Sequence, residues 1–136
     1  MIKETSIAIL GGGNIGSAIF KGLTEYGGMD PSRFTVTRRR MKLLEPLKEA
    51  GAETGLNNLE ATERSDIIFL TVLPKQLENV MKEIAPALSP GKILVSVVTA
   101  YGIGEIKAMG NNTAPVVLAM PNTAVAVGES MTCLAV

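Results

Sequence analysis

Six residues, Gly11-Gly12-Gly13-Asn14-Ile15-Gly16, constrain this chain more than any other part of it. They follow a largely apolar run, Ser6 to Leu10, and open a stretch with helical spacing from about Asn14 to Tyr26. Glycines at the first, third and sixth places of a strand-to-helix turn do three separate jobs. Gly11 permits a tight turn, Gly13 lets a ligand reach the backbone without meeting a Cβ, and Gly16 lets helix and strand pack closely. The free N–H groups and positive dipole end at the start of such a helix form an anion site. The bare pattern also occurs in turns without a ligand. Its place between a strand and a helix, in the first βαβ unit, is what points to a dinucleotide pyrophosphate.

Short β-branched runs alternate with longer helical patterns along all 136 residues. That alternation predicts an α/β fold: a Rossmann-type, doubly wound, mainly parallel sheet with helices on both faces. Further strands are expected at Arg33 to Thr37, around Ala52 to Thr54, and at Asp66 to Val72, Ile93 to Val98 and Pro115 to Ala119. Helices are expected at Met41 to Ala50 (broken or delayed by Pro46), Pro74 to about Leu88, and Ile103 to Met109. Asp66 to Val72 and Ile93 to Val98 are nearly continuous apolar runs, as strands buried on both faces require. Val127 to Val136 reads as the start of a strand or helix and ends on apolar residues without a cap. Residues 1–125 are expected to form the dinucleotide-binding domain, with 126–136 beginning another.

Composition removes several function classes. Thirteen basic and thirteen acidic side chains cancel, so neither nucleic acid nor a membrane surface is an expected partner. No apolar run approaches the roughly 20 residues of a membrane span. There is no histidine and only one cysteine, Cys133, which argues against a metal site, a Cys-His nucleophile and a disulfide framework. A reducing, cytoplasmic compartment is expected.

The end of the second strand bears on which dinucleotide is bound. A domain specific for NAD usually places Asp or Glu there to hold the ribose hydroxyls. Here Thr37 is followed by Arg38, Arg39 and Arg40, and Asp30 precedes the strand, at the wrong edge of the sheet. Arginine binds a 2′-phosphate through paired, charge-assisted hydrogen bonds that a carboxylate would oppose. Arg38 or Arg39 is the expected anchor, with Thr37 adding a hydroxyl, and the dipole of a following helix disfavours these cations unless an anion is present. The expected cofactor is therefore NADP(H), with NAD(H) at lower affinity. Two later turns, Thr71-Val72-Leu73-Pro74 and Val98-Thr99-Ala100, belong to the same edge and are expected, with Leu10 and the glycine turn, to line the site. Plain strand-to-helix turns would read much the same.

Together these segments resemble the N-terminal domain of pyrroline-5-carboxylate reductase, over essentially the whole chain. Ile9 to Ile19 resembles the family's opening strand and cofactor turn, and Asp66 to Val72 is similar to the strand before its second cofactor loop. Asn58 matches an Asn that reaches the adenosine side of the cofactor. The most specific segment is Met120-Pro121-Asn122-Thr123 followed by Val127-Gly128-Glu129. The chain departs from the family at Leu73, where a lysine is usual and here is displaced to Lys75. It also has Thr99-Ala100 for Ala-Gly, and Ala124 for a proline.

The resemblance implies hydride transfer from NADPH to the C=N carbon of a cyclic imino acid, giving L-proline. It also implies a helical C-terminal domain, beyond residue 136, that dimerises and builds much of the imino-acid pocket; this chain alone would then be inactive, and monomeric or weakly associated. No proton donor stands out: Asn122 fits a role near the nicotinamide or in stabilising a turn, and Lys75 and Glu129 read as surface residues. The alternatives are a β-hydroxyacid dehydrogenase or deazaflavin-NADP oxidoreductase type of NADP reductase, against which the Met120 to Thr123 block argues, or a non-catalytic nucleotide-binding module.

Overall fold

A computed structural model describes residues 5–98, 100–109, 114–120 and 133–135. The strands are β1 (Ile7–Leu10), β2 (Phe34–Thr37), β3 (Glu53–Gly55), β4 (Ile67–Leu70), β5 (Ile93–Ser96), β6 (Val116–Met120) and β7 (Cys133–Ala135). The helices are α1 (Asn14–Lys21), α2 (Glu45–Glu49), α3 (Asn58–Glu63), α4 (Pro74–Ile84) and α5 (Ile103–Ala108). The sheet order is β3-β2-β1-β4-β5-β6-β7, parallel from β3 to β6, with β7 antiparallel to β6. The chain moves outward from β1 to β3 and then returns to β4 on the far side of β1. Between β1 and β4 the connections diverge, which opens a crevice at the C-terminal edge of the sheet. This is the expected α/β architecture.

Alternation along the strands divides the core. Ile7 and Ile9 join Phe34, Val36, Leu44 and Leu47 under α1, where Phe20 meets Phe34 edge-to-face at 5.1 Å. Ala8 and Leu10 join Ile68, Leu70 and Leu94 on the other face, against Ala61 of α3, Leu77, Met81 and Ile84 of α4 and Ile106 of α5. Burial on both faces, expected for β4 and β5, holds on only one of them. Ile68, Leu70 and Leu94 are buried, whereas Ile67, Phe69 and Val95 are half-buried and Ile93 is 39% exposed. Among the described residues, α1 and α2 lie over the β1–β2 half of that face, which leaves the β4–β5 half less covered.

The element ends differ from the sequence reading for local reasons. The first α-helix stops at Lys21 and continues as a π-turn, Gly22–Tyr26. There the Thr24 hydroxyl donates to the Phe20 carbonyl at 2.8 Å, and Gly27 N–H reaches back to Gly22 O. Pro46 does delay the second helix: a 3-10 turn, Met41–Leu44, precedes α2. Pro86 turns the end of the fourth helix into a 3-10 turn, Ala85–Ala87. Helix α3 was not expected, although Asn57 caps it by accepting from Glu60 N–H at 3.0 Å. The final stretch is a strand, Cys133–Ala135, paired antiparallel with β6 in the same sheet.

The three motif glycines meet different surroundings. A Cβ on Gly16 would lie 2.5 Å from the Gly11 carbonyl oxygen, 3.0 Å from Thr71 Oγ1 and 3.1 Å from Ile9 Cγ2. A Cβ on Gly13 would meet nothing within 4 Å. Gly11 has φ +96, where a side chain would be strained. Alanine normally strengthens a helix interior, but Gly16→Ala should destabilise the fold by about 1–3 kcal/mol through this overlap. Gly13→Ala should stay within about 0.5 kcal/mol of the parent. Urea denaturation of both variants tests this, and a Gly16→Ala midpoint at or above the parent's contradicts the packing account.

Candidate dinucleotide site

A cleft of about 770 Å³ opens at the C-terminal edge, where the connections leaving β1 and β4 diverge. Its floor is the glycine turn, whose first three residues are held by their own hydrogen bonds. Gly11 and Gly12 N–H both donate to the Thr37 carbonyl at 2.9 Å, which ties the turn to β2. Gly13 N–H donates to Gly11 O, Ser17 N–H to Gly13 O, and the Ser17 hydroxyl to Gly12 O. The first intrahelical acceptor is thus Gly13, so the N–H groups of Asn14, Ile15 and Gly16 lie in the first turn, where an α-helix provides no partner. No side chain caps this end. Open space over Gly13 and an uncapped helix start fit a pyrophosphate.

The arginines meet the same cleft from β2. Arg38, Arg39 and Arg40 all line it. Arg38 is half-buried and places Nη1 3.4 Å from Gly12 O, so its guanidinium lies over the glycine turn, whereas Arg39 and Arg40 are exposed. Arg40 leads into a one-turn 3-10 helix, too short for its dipole to weigh much against a cation. What favours an anion here is therefore the shared cleft and the absence of a carboxylate at the end of β2. Asp30 lies before β2 as expected, capping the 3-10 turn Pro31–Arg33 through the Ser32 N–H and hydroxyl. Those bonds hold its carboxyl below the usual range.

Thr37 lines the cleft but is buried, and its hydroxyl donates to Asn58 Oδ1, so that hydrogen is turned away from a phosphate. The Asn58 amide in turn donates to Glu83 Oε2 at 3.5 Å. Gly11, Gly13, Asn14, Ile15, Arg38, Arg39, Asn58, Thr71, Val72 and Leu73 are lining residues together with Thr37.

Other expected site residues lie elsewhere. Leu10 and Val98 are buried in the core, Gly12 is packed where a Cβ would strike Leu44 and Val36, and Gly16 packs against the Gly11 carbonyl. Pro74 opens α4, and exposed Ala100 lies outside the cleft lining. Thr99 and Asn122 lie outside the described residues, as do Pro121, Thr123, Ala124 and Val127 to Glu129.

Leu56, Gln76, Asn79, Val80 and Glu83 also line the cleft and were not anticipated. Four of them recur at helical spacing along one side of α4, next to its buried stripe of Leu77, Met81 and Ile84. That periodicity is visible in the sequence once α4 is known to border the crevice. Gln76 also holds the second loop, its Oε1 accepting from Leu73 N–H at 3.2 Å. Among the described residues no cluster of His, Cys, Asp and Glu is placed to hold a metal, and no helix is long and apolar enough to cross a membrane.

Residues 6–100 match the family described as NADP oxidoreductase, coenzyme F420-dependent. Pyrroline-5-carboxylate reductase 1 of Dictyostelium discoideum is 35% identical over 99% of this chain and 24% of its own length. A pyrroline-5-carboxylate reductase from Coxiella burnetii superimposes with a TM-score of 0.88 at 30% identity, over 96% of this chain and 48% of the other. The Plasmodium falciparum pyrroline carboxylate reductase, solved with NADP bound, gives 0.86 at 25% identity, over 98% of this chain and 48% of the other. The chain spans between a quarter and a half of the length of these relatives. It belongs to the NADP oxidoreductase, coenzyme F420-dependent, family and is similar over nearly its whole length to the N-terminal domain of the pyrroline-5-carboxylate reductases.

Proposed function

We propose that this chain is the NADP(H)-binding domain of an oxidoreductase of the pyrroline-5-carboxylate reductase type. The observation that carries the reading is a single cleft holding an uncapped helix start, an open approach over Gly13 and a half-buried Arg38, with no acid at the end of β2. The N–H groups of Asn14, Ile15 and Gly16 hold the pyrophosphate, and Arg38 with Arg39 holds the 2′-phosphate. Thr37 and Asn58 buttress the adenosine side through their mutual hydrogen bond. Val72 and Leu73 border the path toward the nicotinamide. NAD(H), lacking the 2′-phosphate, binds less tightly.

Bound NADPH supplies a hydride, which in the whole enzyme goes to the C=N carbon of 1-pyrroline-5-carboxylate to give L-proline. Reduction of a protonated imine needs positioning more than a strong base, which suits a chain without histidine. The imino-acid pocket, the proton donor and the dimer contacts are assigned to parts of the whole enzyme beyond this domain. The domain by itself therefore binds cofactor without turning over substrate, in the cytoplasm, without nucleic acid or membrane partners. The family description favours a second reading, an NADP oxidoreductase that exchanges hydride with coenzyme F420 through the same cofactor half. That match ends at residue 100, before the Met120 to Thr123 block on which the two readings differ.

Calorimetric titration tests the nucleotide reading. NADPH should bind the chain more tightly than NADH. Arg38→Ala should weaken NADPH by about 10- to 100-fold, the range for a charge-assisted contact, and leave NADH within about twofold. Equal affinity for the two cofactors contradicts the 2′-phosphate assignment. With the whole enzyme, oxidation of NADPH by pyrroline-5-carboxylate supports the imine reading, and oxidation by coenzyme F420 alone supports the second.

A further inference from the structure

The peptide joining Gly11 to Gly12 is flanked by two residues without a Cβ, and Gly11 already stands at φ +96. Such a peptide can rotate about its neighbouring bonds at little steric cost, exchanging the directions of its carbonyl and its N–H. Here it is held from both ends. Its N–H donates to the Thr37 carbonyl on β2 at 2.9 Å. Its carbonyl accepts from Gly13 N–H at 2.8 Å and from the Thr71 hydroxyl, just past β4, at 2.5 Å. The Thr71 Oγ1 also lies 2.9 Å from Leu10 O, and Thr71 N–H donates to that same carbonyl at 3.0 Å. The hydroxyl thus shares its one hydrogen between two successive carbonyls at the mouth of the turn.

We infer that Thr71 is a positioning residue for the cofactor: its hydroxyl holds the Gly11–Gly12 peptide in the orientation that leaves the helix start open to a pyrophosphate. The inference rests on the dinucleotide reading above and assigns Thr71 a side-chain role, where the sequence suggested only a lining position. Three features support it. Thr71 is half-buried against the turn rather than pointing to solvent. Its oxygen occupies the space over Gly16, 3.0 Å from where a Cβ would stand, so hydroxyl, turn and helix form one contact. No other side chain from the β4 loop is hydrogen-bonded to the turn among the described residues. Without the hydroxyl, the Gly11 oxygen keeps only its local partner, Gly13 N–H. A carbonyl free to turn beside an anion site weakens that site, because its oxygen carries the wrong partial charge.

Thr71→Val keeps the shape and removes the hydroxyl, and Thr71→Ser keeps the hydroxyl. NADPH affinity, measured by calorimetry on the 136-residue chain, should fall about five- to tenfold in Thr71→Val and stay within about twofold in Thr71→Ser. Adenosine 2′-monophosphate, which reaches the arginines but has no pyrophosphate, should bind all three alike. Amide exchange at Gly12 needs no ligand, and it should be several-fold faster in Thr71→Val only. A Thr71→Val chain with parental NADPH affinity and parental Gly12 exchange overturns the inference, as does equal loss in the two variants or equal weakening of adenosine 2′-monophosphate. If the parent chain fails to bind NADPH, the dinucleotide reading falls. Gly12 exchange then decides whether Thr71 clamps the turn.

Discussion

The close approach of α1 to the end of β1 is the contact on which the rest of the cleft depends. Gly16 stands so near the Gly11 carbonyl that a single methyl group would overlap it. This proximity aims the helix start, with its unpartnered N–H groups, into the crevice between β1 and β4 rather than over the sheet. The crevice itself exists because connections leave these neighbouring strands toward opposite faces of the sheet. Fold and cleft therefore share one cause: the residue that lets the first βα unit close tightly also sets where the helix start opens.

Around that contact the turn is braced by its neighbours. β2 contributes the Thr37 carbonyl, which receives two glycine N–H groups, and the loop after β4 contributes the Thr71 hydroxyl. Arg38 extends back over Gly12 from the same strand end. A backbone of consecutive glycines is intrinsically loose, and its loss of freedom on folding is costly. The hydrogen bonds from two adjacent strands offset that loss. A binding loop can thus be rich in glycine for access and still present one conformation.

Much of this was legible in the sequence, and what was missed has identifiable causes. The strand, glycine turn and helix could be read because each glycine answers a separate steric demand within six residues. The arginines could be read because the end of a parallel strand faces the ligand edge by topology. Leu10, Val98 and Gly12 sit beside the cleft-lining turns yet are buried, since adjacency to a turn does not place a side chain in the cleft. The side of α4 bearing Gln76, Asn79 and Glu83 was missed because it meets the cleft only through tertiary packing of a helix distant in sequence. The Thr37 hydroxyl, expected to face the ligand, donates instead to Asn58 on α3, a helix too short for its periodicity to show in the sequence. The half-covered sheet face at Ile67, Phe69 and Val95 was beyond reach too, because an apolar run does not say what lies over it.

In the proposed function a dinucleotide lies across the glycine turn with its 2′-phosphate at the arginines. Mapping the backbone amide resonances of the labelled chain during titration with NADPH tests it most directly. The largest shifts should fall on Asn14, Ile15 and Gly16, on Arg38 and Arg39, and on Asn58, with little change at the opposite edge near Ser32 and Lys92. Shifts centred on that opposite edge, or spread without a focus at the glycine turn, would contradict it.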